Sequence, residues 1–310
     1  FGLYTVVAYE SNLQINQLHK ENNLISFYTL PDDNSVSSIL SNISENVIGV
    51  VGQNSSAYFY QETEEWTGSI TSMNTYEGYW IRMIDSDLIM HLGPQPDYEK
   101  EYNLQQGLNL ISFPVPGSVD ILSGLENDSD KNIEFIIGES EASILYEGDW
   151  VGSLDRLSGG KGYWFYSKNL FDFNYNLDEL SSSNSFLSRA KEETLPLNQF
   201  FDIHQSTLQM FYFINETPDF VEQGDLLVAI NNNEYVGARL YNGKMTDIPV
   251  MGYDGTQLTQ GFCEMGDVPI FKVLKQSGEL IDLYGSVSPW YPNSYSIESL
   301  KDENITLSEY

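Results

Sequence analysis

Three short blocks recur along this chain in the same order, and that recurrence constrains the fold more than any other feature. Asn23-Leu24-Ile25-Ser26-Phe27 returns as Asn109-Leu110-Ile111-Ser112-Phe113, and Trp66-Thr67-Gly68-Ser69-Ile70 returns as Trp150-Val151-Gly152-Ser153-Leu154. Gly78-Tyr79-Trp80-Ile81 returns as Gly162-Tyr163-Trp164-Phe165. The offsets are 86, 84 and 84 residues, so the copies differ little in length. Solenoid repeats run to about 20–50 residues, and this period exceeds that range. The chain therefore reads as two complete small modules in tandem.

Each copy has the same internal grammar. Leu24 to Phe27 is a short apolar run with strand character. A brief helix is expected next, with Ser35 or Asn34 as its N-cap and Val36, Ile39, Leu40 and Ile43 on one face. Ser118 opens the matching segment of the second copy, with Ile121, Leu122 and Leu125. Val47 to Val51 and Ile133 to Ile137 each end at a glycine, as core strands closed by a turn do. The Trp-x-Gly-Ser and Gly-Tyr-Trp blocks are further strands, and Ser158-Gly159-Gly160-Lys161-Gly162 marks the turn between them in the second copy.

From Pro196 the pattern is all β. Asp225 to Leu240 reads as a hairpin about an Asn-rich turn, and Pro269 to Tyr284 as another about Ser277-Gly278. The expected class is mainly β with minor α. Two tandem small α+β modules, each an antiparallel sheet with a short helix, precede a C-terminal β-sandwich or jelly-roll-like domain. The boundaries are 1–93 for the first module with an N-terminal strand, 94–178 for the second, 179–196 for a linker and 197–310 for the sandwich. Gly93-Pro94-Gln95-Pro96-Asp97 separates the modules.

The Asn-Leu-Ile-Ser-Phe, Trp-x-Gly-Ser and Gly-Tyr-Trp module resembles a repeat of bacterial surface proteins and of virion structural proteins of marine phages, especially those infecting cyanobacteria. Gly224 to Ile230, Val236 to Arg239 and Asp247 to Gly252 are similar to the β-domain that often follows those modules. The resemblance implies a virion or extracellular location and brings no catalytic residue.

Composition narrows the chemistry. With 45 acidic against 14 basic residues the formal net charge is −31. Nucleic-acid binding needs Lys and Arg clusters, and docking on anionic lipid needs the same, so both are disfavoured. No apolar run reaches the roughly 18 residues of a membrane helix, so no membrane insertion is expected. The single cysteine, Cys263, allows no intrachain disulfide, which points to a bacterial or viral product or to an interior stabilised by packing alone. The chain opens at Phe1 without Met and reads as a processed or partial product. Phe1 to Tyr9 has strand character and could complete a neighbouring subunit's sheet by strand addition.

His19, His91 and His204 have no metal-ligand spacing to each other or to Cys263. Gly138-Glu139-Ser140-Glu141-Ala142 loosely matches a nucleophile elbow, but a strand rather than a helix follows it. Asp128, Asp130 and Asn132, with Glu139, match part of a calcium loop. Ile133 stands where that loop demands Gly, so the expected reading is a solvated turn, and these residues are the ligands if a calcium ion binds. No other cofactor is expected. Trp66, Trp80, Trp150 and Trp164 recur at matching positions, which favours packing over binding. Trp290 and Tyr291, between two prolines, are the exposed-contact candidates.

The expected function is non-enzymatic: a structural or adhesive component of an extracellular assembly, foremost a phage virion appendage such as a tail, fibre or capsid decoration. Its partners would be other virion or surface-assembly proteins and copies of itself. The alternative is a surface protein recognising host glycans, with or without calcium. A glycan-degrading enzyme ranks third, since it needs two carboxylates set apart across a cleft.

Overall fold

The computed structural model describes residues 12–125, 131–181, 201 and 203–302. They form two compact units, one from residues within 12–134 and 156–181, the other from 135–155 with 201–302. Among the described residues the fold is mainly β, with two one-turn α-helices and a short 3-10 turn at Ser41–Ile43.

The first copy runs β1 (Asn12–Leu18), β2 (Glu21–Ser26), α1 (Val36–Ile39), β3 (Val47–Val51), β4 (Ser56–Tyr60), β5 (Glu65–Gly68), β6 (Gly78–Met83) and β7 (Asp87–Gly93). Its antiparallel sheet has the order β2-β6-β3-β4-β5, and β1 and β7 pair as a separate ribbon. Ser35 caps α1 by accepting the Ser38 N–H at 3.3 Å. Phe27, Val36, Ile39, Leu40, Ile43, Val47 and Val50 close the core against the sheet. The second copy supplies β8 (Tyr102–Leu104), β9 (Gly107–Ser112), β10 (Ser118–Asp120), α2 (Ile121–Gly124), β11 (Ile133–Ile137), β12 (Ala142–Tyr146), β13 (Asp149–Gly152), β14 (Arg156–Ser158), β15 (Gly162–Ser167) and β16 (Phe171–Phe173). The β9–β15 pair repeats β2–β6, and the β11-β12-β13 meander repeats β3-β4-β5. Asp120, the last residue of β10, caps α2 by accepting the Leu122 N–H at 3.0 Å. Leu122, expected to face inward, is 60% exposed: a single turn has room to bury only Ile121 and the following Leu125.

Several residues of the recurring blocks have the same task in both copies. Asn23 and Asn109 brace the turn before their strand. Each side chain accepts the N–H and donates to the C=O of the residue four positions earlier, all at 2.8 Å. Gly68 and Gly152 have φ of +151° and +138°, and a Cβ there would stand 2.2 Å from the Ser56 and Ala142 carbonyl oxygens. The serine that follows accepts the N–H of that same partner, at 3.2 Å for Ser69 and 3.3 Å for Ser153. The Tyr79 hydroxyl accepts the Asn74 N–H at 3.0 Å, and that of Tyr163 accepts the Ser158 N–H at 2.9 Å. Trp80 and Trp164 are buried. The fall in offset from 86 to 84 has one source. Four residues, 61–64, link β4 to β5, whereas Glu147-Gly148 alone links β12 to β13, both at positive φ as a two-residue hairpin turn demands.

Within the first unit the two copies meet about a local pseudo-twofold. The Ser26 N–H donates to Gly160 O at 2.9 Å, and the equivalent Ser112 N–H donates to Tyr76 O at 3.1 Å. Ser26 Oγ donates to Lys161 O and Ser112 Oγ to Thr75 O, each at 2.6 Å. Gly78 and Gly162 face each other across this axis, each so close that a Cβ would lie 3.1–3.2 Å from the other's Cα.

The C-terminal strands are β17 (Gln209–Glu216), β18 (Leu226–Asn231), β19 (Glu234–Leu240), β20 (Thr246–Met251), β21 (Ile270–Leu274), β22 (Leu280–Leu283) and β23 (Ser294–Ser299). They form a three-stranded sheet, β20-β17-β23, and a four-stranded sheet, β19-β18-β21-β22. Both contribute to one core, with Met210, Tyr212 and Val250 from the first and Leu227, Phe271 and Val273 from the second, which makes this part a sandwich. The β17–β23 pair is parallel. Asn232 and Asn233, both at positive φ, make the expected hairpin turn. Strand β17 is buried on both faces, because Phe135 of β11 and Phe213 of β17 both pack on Tyr295. Gln209 Nε2 donates to Gly138 O at 2.6 Å. These contacts place β12 and β13, with most of β11, in the compact unit of the C-terminal strands, so the units do not follow the repeat boundary at 178.

Asp225 anchors a turn of this sandwich. Its carboxylate accepts Lys275 Nζ at 2.5 Å and the Glu222 N–H at 2.8 Å. Burial by itself would raise its pKa, but the hydrogen bonds from Lys275 and from the Glu222 and Gln276 backbones outweigh that and hold it below the ordinary value. A depressed acid contributes stability above its unfolded pKa of about 3.9 and loses it as pH falls through the folded value. Asp225→Asn is therefore expected to destabilise the protein at pH 7 and to narrow its gap to wild type below about pH 4. Urea unfolding of both proteins at the two pH values checks this; parallel pH curves would refute it.

Candidate contact surfaces

Two surfaces stand out. The first is the β1–β7 ribbon. Its inner face joins the core through Leu18 and Ile89 and also carries two buried amides: Gln14 Nε2 donates to Ser26 O at 2.8 Å, and Asn16 Nδ2 donates to Gly160 O at 2.9 Å. Gln14 Oε1 accepts the Tyr28 and Thr29 N–H groups at 2.9 and 3.2 Å. These amides satisfy backbone groups at the end of β2, where an apolar side chain would leave them unpaired. Alternation then turns the apolar residues outward. Leu13 pairs with Leu92, Ile15 with Met90 and Gln17 with Leu88. Leu13, Leu88, Met90 and Leu92 are 42–55% exposed, and Ile15 is half-buried.

The second copy lacks this face. Its β8–β16 ribbon keeps only the inner end of the pairing, Tyr102↔Phe173 to Leu104↔Phe171, and its outward pair is Asn103 and Asp172. The shared core therefore does not require the longer apolar ribbon of the first copy.

The second surface is an open cleft of about 860 Å³ in the second unit, between the β12–β13 hairpin and the ends of β19 and β20. Tyr146, Trp150 and Tyr241 line it, with Gln223, Asn242 and Lys244 beside them. Asp247 closes its base, accepting Ser153 Oγ at 2.6 Å and Arg239 Nη2 at 3.3 Å. Burial raises the Asp247 pKa above the ordinary carboxylate value despite the neighbouring Arg239. Arg239 is also committed to the backbone, through Nε to Asp247 O and Nη2 to Ser140 O.

The residues singled out from sequence fall elsewhere. Trp290 is a correction: it is 2% exposed, and its Nε1 donates to Val250 O at 2.9 Å in the sandwich core. Its neighbour Tyr291 is 46% exposed. Asp128 and Asp130 lie outside the described residues, as do Phe1 to Tyr9 and most of the linker 179–196. Asn132 accepts the Lys168 N–H on its carbonyl at 2.8 Å and Asn169 Nδ2 on its side chain at 3.2 Å. Among the described residues no three His, Cys, Asp or Glu side chains gather as a metal site. His91 Nε2 lies 2.7 Å from Thr29 O, and burial keeps its pKa below the usual value. Ser140 sits at φ 55° in the β11–β12 turn, where its hydroxyl donates to Gln205 Oε1 at 2.5 Å, so an amide and not a base receives its proton. Cys263 is fully buried, and burial pushes its thiol up to about 12. Among the described residues no helix is long and apolar enough to cross a membrane.

Comparison of the chain with known protein families, with characterised proteins and with solved structures found no match.

Proposed function

We propose that this chain is a non-enzymatic structural or adhesive component of an extracellular assembly, in the manner of a phage virion appendage, and that it joins a second copy of itself through the β1–β7 ribbon. The outward face of that ribbon carries the reading. It presents Leu13, Ile15, Leu88, Met90 and Leu92 without a single charge, on a chain of net charge −31. Contiguous exposed apolar surface marks contact sites, and copies this acidic repel one another less where they meet on neutral surface. Among the described residues β1 pairs only with β7. Two β1 strands related by a twofold run antiparallel, so each completes the other's edge and the apolar faces become continuous.

Sedimentation velocity over about 1–100 µM, the range of weak to moderate self-association, tests this. Wild type is expected to self-associate. Met90→Glu/Leu92→Glu is expected to weaken association at least about tenfold, with thermal stability changed by no more than about 0.5 kcal/mol, since both side chains are already exposed. A wild-type chain that stays monomeric throughout, or a double variant that associates equally well, overturns the proposal.

A further inference from the structure

We infer that the open cleft of the second unit is a binding site for a neutral saccharide. Trp150 carries the argument. Its Nε1 is buried with no hydrogen-bond partner while the residue remains partly exposed. The indole has no other polar atom, so what it offers to the cleft is hydrocarbon. Tyr146 and Tyr241 line the same cleft, and the Tyr241 hydroxyl is engaged by Thr217 Oγ1 at 3.1 Å. Flat apolar ring surface of this kind stacks on the C–H faces of a pyranose.

The polar groups suit hydroxyls rather than ions. Gln223 Nε2 donates to Asn242 Oδ1 at 2.8 Å, and this exposed pair keeps spare donors and acceptors side by side at the rim. A sugar hydroxyl uses one of each. The ionic groups of the cleft have mixed sign. Glu147 and Asp149 oppose an anion, whereas Lys244, 5.9 Å from the centre of the Tyr146 ring, opposes a cation. The guanidinium of Arg239 is already spent on Asp247 and Ser140. A volume of about 860 Å³ falls within the usual range for small-ligand sites.

The first copy shows what changed. There the equivalent Trp66 packs on Phe59, with ring centres 5.2 Å apart, against its own core. The β4–β5 turn is also two residues longer than the Glu147-Gly148 turn at the cleft. One indole position thus serves packing in one copy and lines a cleft in the other. The inference stands independently of self-association through the ribbon.

Isothermal titration of the full chain with maltohexaose, cellohexaose and mannohexaose, preceded by an array of neutral and sulfated glycans, tests it. Saturable binding to at least one neutral glycan is expected, unaffected by chelator. Trp150→Ala is expected to weaken it about tenfold or more, while Trp66→Ala leaves it unchanged. Asn242→Ala, at an exposed position, should weaken it several-fold with an unchanged circular dichroism spectrum, which keeps the test valid if Trp150→Ala does not fold. Four results would each overturn the inference: silence towards all neutral glycans, binding to sulfated glycans alone, loss of binding on chelation, or full affinity in either Asn242→Ala or a folded Trp150→Ala.

Discussion

Trp290→Ala is expected to destabilise the C-terminal sandwich by about 3–5 kcal/mol, the usual cost of removing a fully packed tryptophan from a core. The side chain belongs to the core that also holds Met210, Val250, Met251, Phe262 and Cys263, and its truncation removes the indole donor to the Val250 carbonyl. The backbone on either side is already pinned, by Trp290 N–H to Asp267 O at 2.7 Å and Gly266 N–H to Trp290 O at 2.9 Å, so the site has little freedom to collapse into the void. Gly252 is the complementary half. A Cβ there would stand 2.3 Å from the indole, so Gly252→Ala should also destabilise by displacing the ring. Guanidinium unfolding followed by circular dichroism measures both. A surface contact residue would change stability by no more than about 0.5 kcal/mol, and that outcome would restore the reading of Trp290 as an exposed anchor.

Gly162→Ala is expected to destabilise the first unit by about 1–3 kcal/mol through overpacking at the pseudo-twofold. The new methyl would stand 2.7 Å from Ile25 O, which is backbone, and 3.1 Å from both Gly78 Cα and Leu24 Cδ1. Gly78→Ala should cost less, because its nearest neighbour at 2.9 Å is the end of the Leu110 side chain. The two substitutions crowd the same gap, so their combined effect should exceed their sum. Scanning calorimetry reads the loss, and hydrogen exchange at Ser26 and Ser112 locates it. The alternative is distinguishable in sign: if the copies were independent, alanine in a strand would gain about 0.5–1 kcal/mol over glycine.

Much of the module was legible because its signature residues act locally. Asn23 braces His19, Tyr79 receives Asn74, and Gly68 with Ser69 closes on Ser56, all within one copy. Such short-range tasks repeat whenever the core repeats, so the blocks appear twice. The hairpin at Asn232-Asn233 was legible for the same reason. Trp290 was not. Two flanking prolines make an exposed turn on local grounds, and nothing near them shows that Gly252 vacates the space the ring fills. The ribbon misleads in a different way. Leu13 and Ile15 alternate with Gln14 and Asn16, and a period-two reading buries the aliphatic pair. The amides go inside instead, because they complete backbone groups of Ser26, Tyr28 and Gly160 that lie up to 144 residues away in sequence.

The internal repeat by itself determined that one small module is built twice, where its strands and turns lie, and that its glycines are chiefly structural. Hydrophobic periodicity and turn chemistry are properties of a few adjacent residues, so they survive in the sequence. Only the tertiary structure decided how the copies differ. It showed the reciprocal Ser26 and Ser112 contacts, the apolar ribbon kept by the first copy alone, and the compact units that cut through the second. It also separated the recurring tryptophans, with Trp66 against a core and Trp150 on a cleft. Those differences depend on which distant group needs a hydrogen bond or a neighbour, and neither block carries that information within itself.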